Sequence, residues 1–322
     1  DPALVDRVRE KLQEKNTNSA RTSDLAEELG VSEAQIEAAL REVDDLHFYR
    51  DPRKGTGIVA KVIQHGDAGM TVAELNTVQR FLSKFGRKRT GWLYKRYEQL
   101  AQQVRSGKKS LQDVELECLA LVCEISARGE GAKYVRPDQV VGAHALLRGH
   151  IVEMRTGEGK SLASAVALLV RALESRTIDG LPAPGKGAWL LTPDEMLAGQ
   201  VYREVARIAK NLPVSTALVT ENMSAASKRL AYQADVVVGS DELVFDLARD
   251  RSGQHQFSAV DEAVLRTLEE RAQAGDARAQ QALDAMLASE KRGVQGDRGG
   301  FLIFDEVDAF LVDDANMPYR LP

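Results

Sequence analysis

The chain has 322 residues, of which 43% are hydrophobic and 28% charged, and its formal net charge is -5. These values are typical of a globular protein with one large domain or two to three smaller ones. The negative net charge argues against polyanion binding by the whole surface, and no apolar run approaches the ~18 residues of a membrane-spanning helix. Cys118 and Cys123 lack metal-ligand spacing, so we expect buried, reduced thiols in a reducing compartment.

The first predicted module covers residues 1–75 and reads as a helix, a helix-turn-helix and a hairpin. Capping residues and a Gly-Val turn predict one helix that ends at Leu29 and a second over residues 33–43. Two strand-like runs, 46–49 and 57–62, flank a Pro/Gly turn, as in the wing of a winged helix. The second helix exposes acids where a DNA-reading helix needs basic or amide side chains, namely Glu33, Glu37 and Glu42. We therefore favour protein contact or packing over DNA binding.

A basic helical lead-in is predicted over residues 76–135, with helix throughout 77–128. Residues 80–109 carry ten Lys and Arg against one acid, Glu98. The same stretch holds five aromatic residues: Phe81, Phe85, Trp92, Tyr94 and Tyr97. Such a segment can contact anionic lipid or nucleic acid, although a solvated helix face with its aromatic residues in the core is the commoner arrangement.

The rest of the chain, residues 136–322, alternates short aliphatic runs with helices. Strands are predicted at Ile151–Arg155, Ala188–Thr192, Val214–Val219, Asp235–Gly239 and Phe301–Asp305. Helices are predicted between the first four strands at 160–174, 195–210 and 224–232. Because the strands are apolar without alternation, the pattern predicts a parallel α/β sheet covered on both faces. A helical insertion over residues 251–299 precedes the last strand.

The strongest local motif is a P-loop, residues 154–161, placed between a predicted strand and a predicted helix. Its glycines let successive backbone N–H groups point at phosphate oxygens, and the helix start adds its positive dipole end. Lys160 is expected to reach the β- and γ-phosphates, and the Ser161 hydroxyl to coordinate Mg²⁺. Met154 stands where this pattern usually has its first glycine. The predicted phosphate-binding residues are Arg155, Thr156, Gly157, Glu158, Gly159, Lys160 and Ser161.

A second motif places two acids at the end of the strand that starts at Phe301. One carboxylate at such a strand end can hold Mg²⁺ while the next orients a water. We assign Asp305 to the metal, through water, and Glu306 to the attacking water. Together with Lys160 they form the predicted catalytic set.

Several ordered blocks resemble the first motor domain of the SecA-type preprotein translocase family. The glutamine-to-loop stretch from Gln139 to Lys160 has the family's spacing, and Thr192 with Leu197-Ala198 is similar to the motif that follows. The remaining blocks are Lys228–Asp235, Gly239-Ser240 with Phe245–Asp250, Asp305–Asp308 with Leu311, Asp313, Ala315 and Pro318, and the helix from Leu111 to Ser126. Together they cover about residues 110–250 and 300–322.

The resemblance implies a RecA-like, DEAD-like domain that binds ATP or ADP with Mg²⁺. It implies that Gln139 reads the adenine edge, and that Thr192 and residues 239–250 couple nucleotide state to a translocated polymer. The implied partners are a polypeptide substrate, a protein-export channel and a second motor half that supplies an arginine finger. Without that half the chain is expected to turn over slowly, in the cytoplasm or peripherally at the membrane.

The sequence also departs from the family pattern, and two alternative functions stay open. Arg136-Pro137-Asp138 alters the lead-in to the glutamine, Asn316-Met317 replaces Arg-Thr, and the insertion adds about thirty residues. The alternatives are half of a DEAD-like nucleic-acid helicase and a nucleotide-binding interaction scaffold. The basic segment over 80–109 favours the helicase, whereas the acidic winged-helix face and the SecA-like blocks oppose it. The extra helices and the absent second half favour a scaffold, whereas intact Lys160, Ser161, Asp305 and Glu306 argue against a pure one.

Overall fold

The structure, a computed structural model, describes most of the chain and divides it into two compact units. The first unit comprises Asp1–Arg87 and Leu119–Ala163, and the second comprises Lys88–Cys118 and Ser164–Pro322. The described residues are 2–13, 19–41, 46–50, 58–62, 70–154, 157–175, 177–178, 181–182, 187–252, 259–290, 295 and 300–309.

The helices and strands follow one another in three groups along the chain. The first group is α1 (Pro2–Gln13), β1 (Ser19–Arg21), α2 (Thr22–Leu29), α3 (Glu33–Arg41), β2 (Leu46–Arg50), β3 (Ile58–Val62) and α4 (Val72–Phe85). The second is α5 (Thr90–Arg105), α6 (Leu111–Ser126), α7 (Pro137–Leu147) and α8 (Lys160–Arg171), which a 3₁₀ turn at Ala172–Glu174 extends. The third is β4 (Thr177–Ile178), β5 (Leu181–Pro182), β6 (Ala188–Leu191), α9 (Glu195–Ala209), β7 (Thr216–Val219), α10 (Ala225–Ala231), β8 (Val236–Gly239), α11 (Glu242–Ser252), α12 (Ala259–Gln273), α13 (Ala277–Glu290) and β9 (Phe301–Phe304).

The N-terminal part of the first unit packs three helices beside a small antiparallel sheet. Its strand order is β1-β3-β2, and Leu46 pairs with Val62 in the β2–β3 hairpin. Helix α2 ends at Gly30, whose φ of 66° is a left-handed conformation that glycine adopts without strain. The shared core of α1, α2 and α3 includes Leu4, Val8, Leu12, Leu25 and Ile36. The structure thus has the predicted helices and hairpin, while the winged-helix assignment and the boundary at residue 75 stay predictions.

The predicted continuous helix over 77–128 is wrong in its continuity, because the structure has three helices there. Helix α4 ends at Gly86, and α5 ends before Gly107, which has a φ of 71°. The next helix starts anew because the Asp113 carboxylate accepts a hydrogen bond from the Ser110 backbone N–H at 2.8 Å. The same bond lowers the pKa of Asp113. Local caps therefore override the uniform helical composition.

In its described residues, the second unit is built on a four-stranded sheet with the order β7-β8-β6-β9 and only parallel pairs. All eight residues of β6 and β8 are buried, as expected for central strands covered on both faces. Helix α5 contributes Tyr97, fully buried, whose hydroxyl donates to the Leu169 carbonyl at 2.6 Å. The insertion folds as the pair α12 and α13, whose buried residues include Leu265, Ala279 and Leu283.

Four of the five predicted parallel strands are confirmed, and the strand predicted at 151–155 is not. Residues 151–154 have no regular secondary structure, and Arg155 lies outside the described residues. Ile151 is 94% exposed, so the apolar run is not buried between neighbouring strands. Val152 and Met154 instead face Gly142 of α7, where an added Cβ would lie 3.3 Å from the Met154 sulfur. Packing on a helix thus replaces pairing in a sheet for this segment.

Candidate functional site

The described part of the P-loop forms a tight turn ahead of α8. Gly157 and Gly159 both have a φ of 83°, in the left-handed region that side chains rarely adopt. The Gly159 carbonyl accepts hydrogen bonds from the N–H groups of Leu162 and Ala163, which makes Gly159 the residue that precedes the helix. Lys160 and Ser161 lie half-buried in the first turn, where backbone N–H groups have no partner inside the helix. Arg155 and Thr156 lie outside the described residues.

The start of α7 holds this loop through a pair of hydrogen bonds to one carbonyl. Gln139, 3% exposed, donates from Nε2 to the Glu158 carbonyl at 2.8 Å, and Arg136 donates to the same carbonyl from Nη2. The Gln139 Oε1 accepts the Arg136 backbone N–H at 2.9 Å and so caps the first turn of α7. The Asp138 carboxylate binds the guanidinium at 3.0 and 3.2 Å.

Gly159 is required by contact as well as by conformation. A Cβ on this residue would lie 2.3 Å from the Gln139 Nε2. A Cβ on Gly157 meets no atom of the described residues within 4 Å, so among them the space in front of that residue is open. The glycines therefore allow both a close approach of Gln139 and an open face for a ligand.

The second candidate segment lies at the carboxyl edge of the parallel sheet in the second unit. Leu191, Gly239 and Phe304 end their strands in register, and Val219 pairs with Gly239. The residues that follow these ends are Thr192, Thr220, Ser240 and Asp305. In open parallel sheets, ligands bind at this edge. The predicted acidic motif is therefore placed where a ligand site is expected.

Asp305 and Glu306 form a compact turn at this edge. The Asp305 N–H donates to the Leu191 carbonyl at 2.9 Å, and its Oδ1 accepts the Glu306 N–H at 3.1 Å. Glu306 has a φ of 51°, the one non-glycine residue with a positive φ among those described. Such conformations store strain and occur preferentially at functional sites. Both side chains are half-exposed and thus accessible.

Thr192, expected to couple nucleotide state to the polymer, is fully buried. Its hydroxyl donates to the Asp194 carbonyl at 2.8 Å, while the Asp194 side chain accepts the Leu197 N–H and caps α9. The threonine therefore shapes the turn from β6 into α9. Its coupling role stays a prediction.

A buried polar cluster beside β8 was not anticipated from the sequence. Lys228 pairs with Glu242 and with Asp246, the latter at 3.2 Å, and the Tyr232 hydroxyl donates to Asp246 at 2.8 Å. Gln295, 3% exposed, donates to the Leu243 carbonyl and to the Tyr232 hydroxyl. Burial raises the pKa of Asp246 although Lys228 opposes this shift, and burial also raises the pKa of Tyr232. No local sequence signal set these three charged residues apart, because α10 and α11 carry further charged residues such as Arg229, Arg249 and Asp250.

Arg136 and Asp138 were likewise missed as functional residues. They were visible only as a departure from the family pattern, although Pro137 at the first helical position marks a helix start. Among the described residues, no group of three or more His, Cys, Asp or Glu side chains could hold a metal, and no helix has the length and apolar character to cross a bilayer. Cys118 and Cys123 are both buried, as predicted.

Comparison with known proteins gives concordant matches. The family model described as the SecA DEAD-like domain matches residues 64–321. The protein translocase subunit SecA of Deinococcus radiodurans is 31% identical over 220 residues, 68% of this chain and 20% of that protein. SecA 1 of Corynebacterium diphtheriae is 31% identical over 211 residues, 65% of this chain and 19% of that protein. The chloroplastic SecA of Spinacia oleracea is 32% identical over 222 residues, 68% of this chain and 17% of that protein.

The chain spans about a fifth of the length of the curated relatives it matches. The family match covers both motifs and the parallel sheet, and it includes the lead-in helices from residue 64 onward. The predicted α/β class with a RecA-like core is therefore confirmed. The chain belongs to the SecA family, through its DEAD-like domain.

Proposed function

We propose that this chain binds ATP or ADP with Mg²⁺ and that, in the whole protein, hydrolysis drives the movement of a polypeptide. The observation that carries the proposal is the pair of glycines at a φ of 83° directly ahead of α8. Such a turn presents backbone N–H groups and a helix N-terminus to an anion, which suits a polyphosphate. The family supports the same assignment, since its relatives are named protein translocase subunits.

The proposed roles follow from the chemistry of each side chain. Lys160 neutralises the β- and γ-phosphates, with the backbone of residues 155–159 around them. Mg²⁺ prefers hard oxygen ligands, which the Ser161 hydroxyl and, through water, the Asp305 carboxylate supply. Glu306 orients the attacking water in the phosphoryl transfer. An arginine finger from a second motor half is worth roughly 10³–10⁵ in rate, so we expect the 322 residues alone to turn over slowly.

The proposed setting is that of a SecA motor. The partners are a polypeptide substrate and a protein-export channel, and the place is the cytoplasm or the cytoplasmic face of the membrane. Binding energy from the nucleotide closes the two motor halves, and hydrolysis releases them.

The binding step is tested by replacing Lys160. In calorimetry with Mg²⁺, Lys160→Ala should lose ADP and ATP affinity by at least about a hundredfold, because the charge opposite the phosphates is removed. Lys95→Ala is the matched control, since Lys95 is exposed on α5 away from the P-loop sequence. Unchanged ADP affinity in Lys160→Ala would remove the assignment.

The hydrolysis step is tested separately with Glu306→Gln. This variant keeps the size of the side chain and should keep ATP affinity, while single-turnover hydrolysis falls by about 10²-fold or more, as is typical of a lost proton-transfer or water-orienting group. Equal loss of binding and hydrolysis would place Glu306 in ground-state binding instead.

The nucleic-acid alternative rests on the basic residues of 80–109. Several are exposed, namely Lys84, Arg87, Lys88, Arg89, Lys95, Lys108 and Lys109, and so are the rings of Trp92 and Tyr94, whereas Phe85 and Tyr97 are buried. Arg96 instead pairs with Glu117 at 2.7 Å. Salt-dependent binding to single-stranded RNA would support a helicase role, and binding only to anionic vesicles would support a membrane contact.

A further inference from the structure

We propose that Arg136 and Gln139 are positioning residues that orient the Glu158–Gly159 peptide for phosphate binding, an inference that rests on the proposed function. The two side chains, here called the carbonyl clamp, both donate to the Glu158 carbonyl. They come from the first turn of α7, and Glu158 of the P-loop lies 19 residues after Gln139 and 22 residues after Arg136. The clamp therefore joins two segments that the sequence separates.

The clamp fixes the direction of one backbone N–H. A trans peptide is planar, so the Gly159 N–H points opposite to the Glu158 carbonyl. Since both donors hold that carbonyl on the α7 side, the Gly159 N–H faces away from α7. It adjoins Lys160 at the start of α8, where the proposed phosphate site has its other N–H donors. A peptide that is already turned this way loses less entropy when the phosphate binds.

Asp138 holds the clamp in place. Its carboxylate is 10% exposed and binds both Nε and Nη2 of Arg136, so that the guanidinium is oriented by a two-point contact. This pairing also offsets the guanidinium charge. The expected effect of Arg136 is thus local and geometric, not a long-range attraction for the nucleotide.

The same contacts bear on base selectivity. The Gln139 Oε1 accepts the Arg136 N–H and its Nε2 donates to Glu158, so both polar ends of the amide already serve the backbone. Reading an adenine edge would exchange these bonds. The structure assigns Gln139 to the loop, and the adenine-reading role implied by the family resemblance is expected to be secondary.

The test compares a full nucleotide with a ligand that has no base. Affinities for ADP and for inorganic pyrophosphate are measured by calorimetry in wild type, Arg136→Ala, Gln139→Ala, Arg136→Lys and Asp138→Asn. We expect Arg136→Ala and Gln139→Ala to weaken both ligands by the same factor, roughly tenfold, the usual effect of losing one hydrogen bond to a polar backbone group. Arg136→Lys should restore part of the affinity because it keeps one charged donor. Exposed Arg87→Ala is the matched control.

The outcomes separate this inference from the proposed function. Wild-type protein that binds neither ligand would contradict the proposed function itself. Wild-type binding with unchanged affinity in Arg136→Ala would overturn the clamp alone, as would a Gln139→Ala loss confined to ADP, since that is the signature of base reading. Thermal unfolding without ligand identifies a merely structural defect. If Arg136→Ala does not fold, Asp138→Asn carries the same comparison, because it loosens the guanidinium without removing it.

Discussion

At the scale of single residues, the P-loop depends on glycines for two reasons, a positive φ and the lack of room for a Cβ. These two reasons can be tested separately. Gly159 combines a φ of 83° with a Gln139 contact that leaves no room for a Cβ. Gly149 has a similar φ of 79°, but an added Cβ there lies within 4 Å of none of the atoms that the structure describes. Comparing substitutions at Gly159 and Gly149 therefore separates the effect of backbone strain from that of steric exclusion.

Gly159→Ala should lose nucleotide affinity by more than tenfold and destabilise the fold by about 1–3 kcal/mol, the usual strain of a side chain in this region. Gly149→Ala should show a similar strain without the loss of affinity. Adding Gln139→Ala to Gly159→Ala should recover only the part of the destabilisation that exceeds the Gly149→Ala loss, because the 2.3 Å contact is removed while the backbone strain remains. Urea unfolding and ADP calorimetry measure the two effects. If Gly159→Ala and Gly149→Ala lost the same stability and the same ADP affinity, the Gln139 contact would be unimportant.

At the scale of elements, the start of α4 in the first unit is fixed by a side-chain cap that titrates. Thr71 begins α4 with a reciprocal cap: its hydroxyl accepts the Glu74 N–H at 3.2 Å, and Glu74 accepts the Thr71 N–H at 2.8 Å. Burial favours a higher pKa for Glu74, but the hydrogen bonds from Thr71 and the charges of His144 and Arg148 bring the net shift below the ordinary value. The folded state therefore favours the ionised form of Glu74 over its protonated form more strongly than the unfolded state does.

Glu74→Gln should therefore destabilise the protein in a pH-dependent way. A lowered folded-state pKa contributes stability that is present above the unfolded value of about 4.3 and is lost as the pH falls through the folded value. We expect a loss of about 1 kcal/mol or less at pH 7 that shrinks as the pH falls below the unfolded value. Urea unfolding from pH 3 to 8 measures it, with exposed Glu130→Gln as the control. A difference independent of pH would contradict the titrating cap.

Strand patterns were predictable where burial on both faces makes the sequence continuously apolar. The runs that became β6, β8 and β9 were recognised to within a residue at each end, since a central parallel strand leaves little choice. Residues 151–154 are apolar at three of four positions but lie against α7, and apolar character alone does not distinguish the two environments. The breaks between α4, α5 and α6 depend on single capping residues. The helix-forming composition of the whole stretch does not reveal them.

At the scale of the whole molecule, the motifs were readable and the contacts between distant segments were not. The P-loop glycines and the paired acids follow local rules of phosphate and Mg²⁺ binding, so the sequence identified Lys160 and Asp305. The hold of Arg136 on Glu158 spans 22 residues, and that of Gln295 on Leu243 spans 52. Such pairs are determined by tertiary packing, and no local sequence pattern predicts them.

The buried cluster around Lys228 ties Gln295 of the insertion to α10 and α11 and should be essential for the stability of the second unit. Lys228→Met leaves Glu242 and Asp246 buried without their cation, and removing one partner of a buried ion pair typically destabilises by about 3–5 kcal/mol. Exposed Lys210→Met, in the same unit, is the matched control. Urea unfolding of both variants measures the difference.

The pH dependence of that loss identifies its cause. Burial already raises the pKa of Asp246, and removing the lysine raises it further. A carboxyl whose folded pKa is raised loses stability as the pH rises above its unfolded value, so the Lys228→Met defect should be smaller at pH 5 than at pH 8. Adding Asp246→Asn should reduce the defect at pH 8, because one unpaired charge is removed. A loss equal at both values of pH and unaffected by Asp246→Asn would mean that packing of the lysine stem, and not its charge, stabilises this part of the molecule.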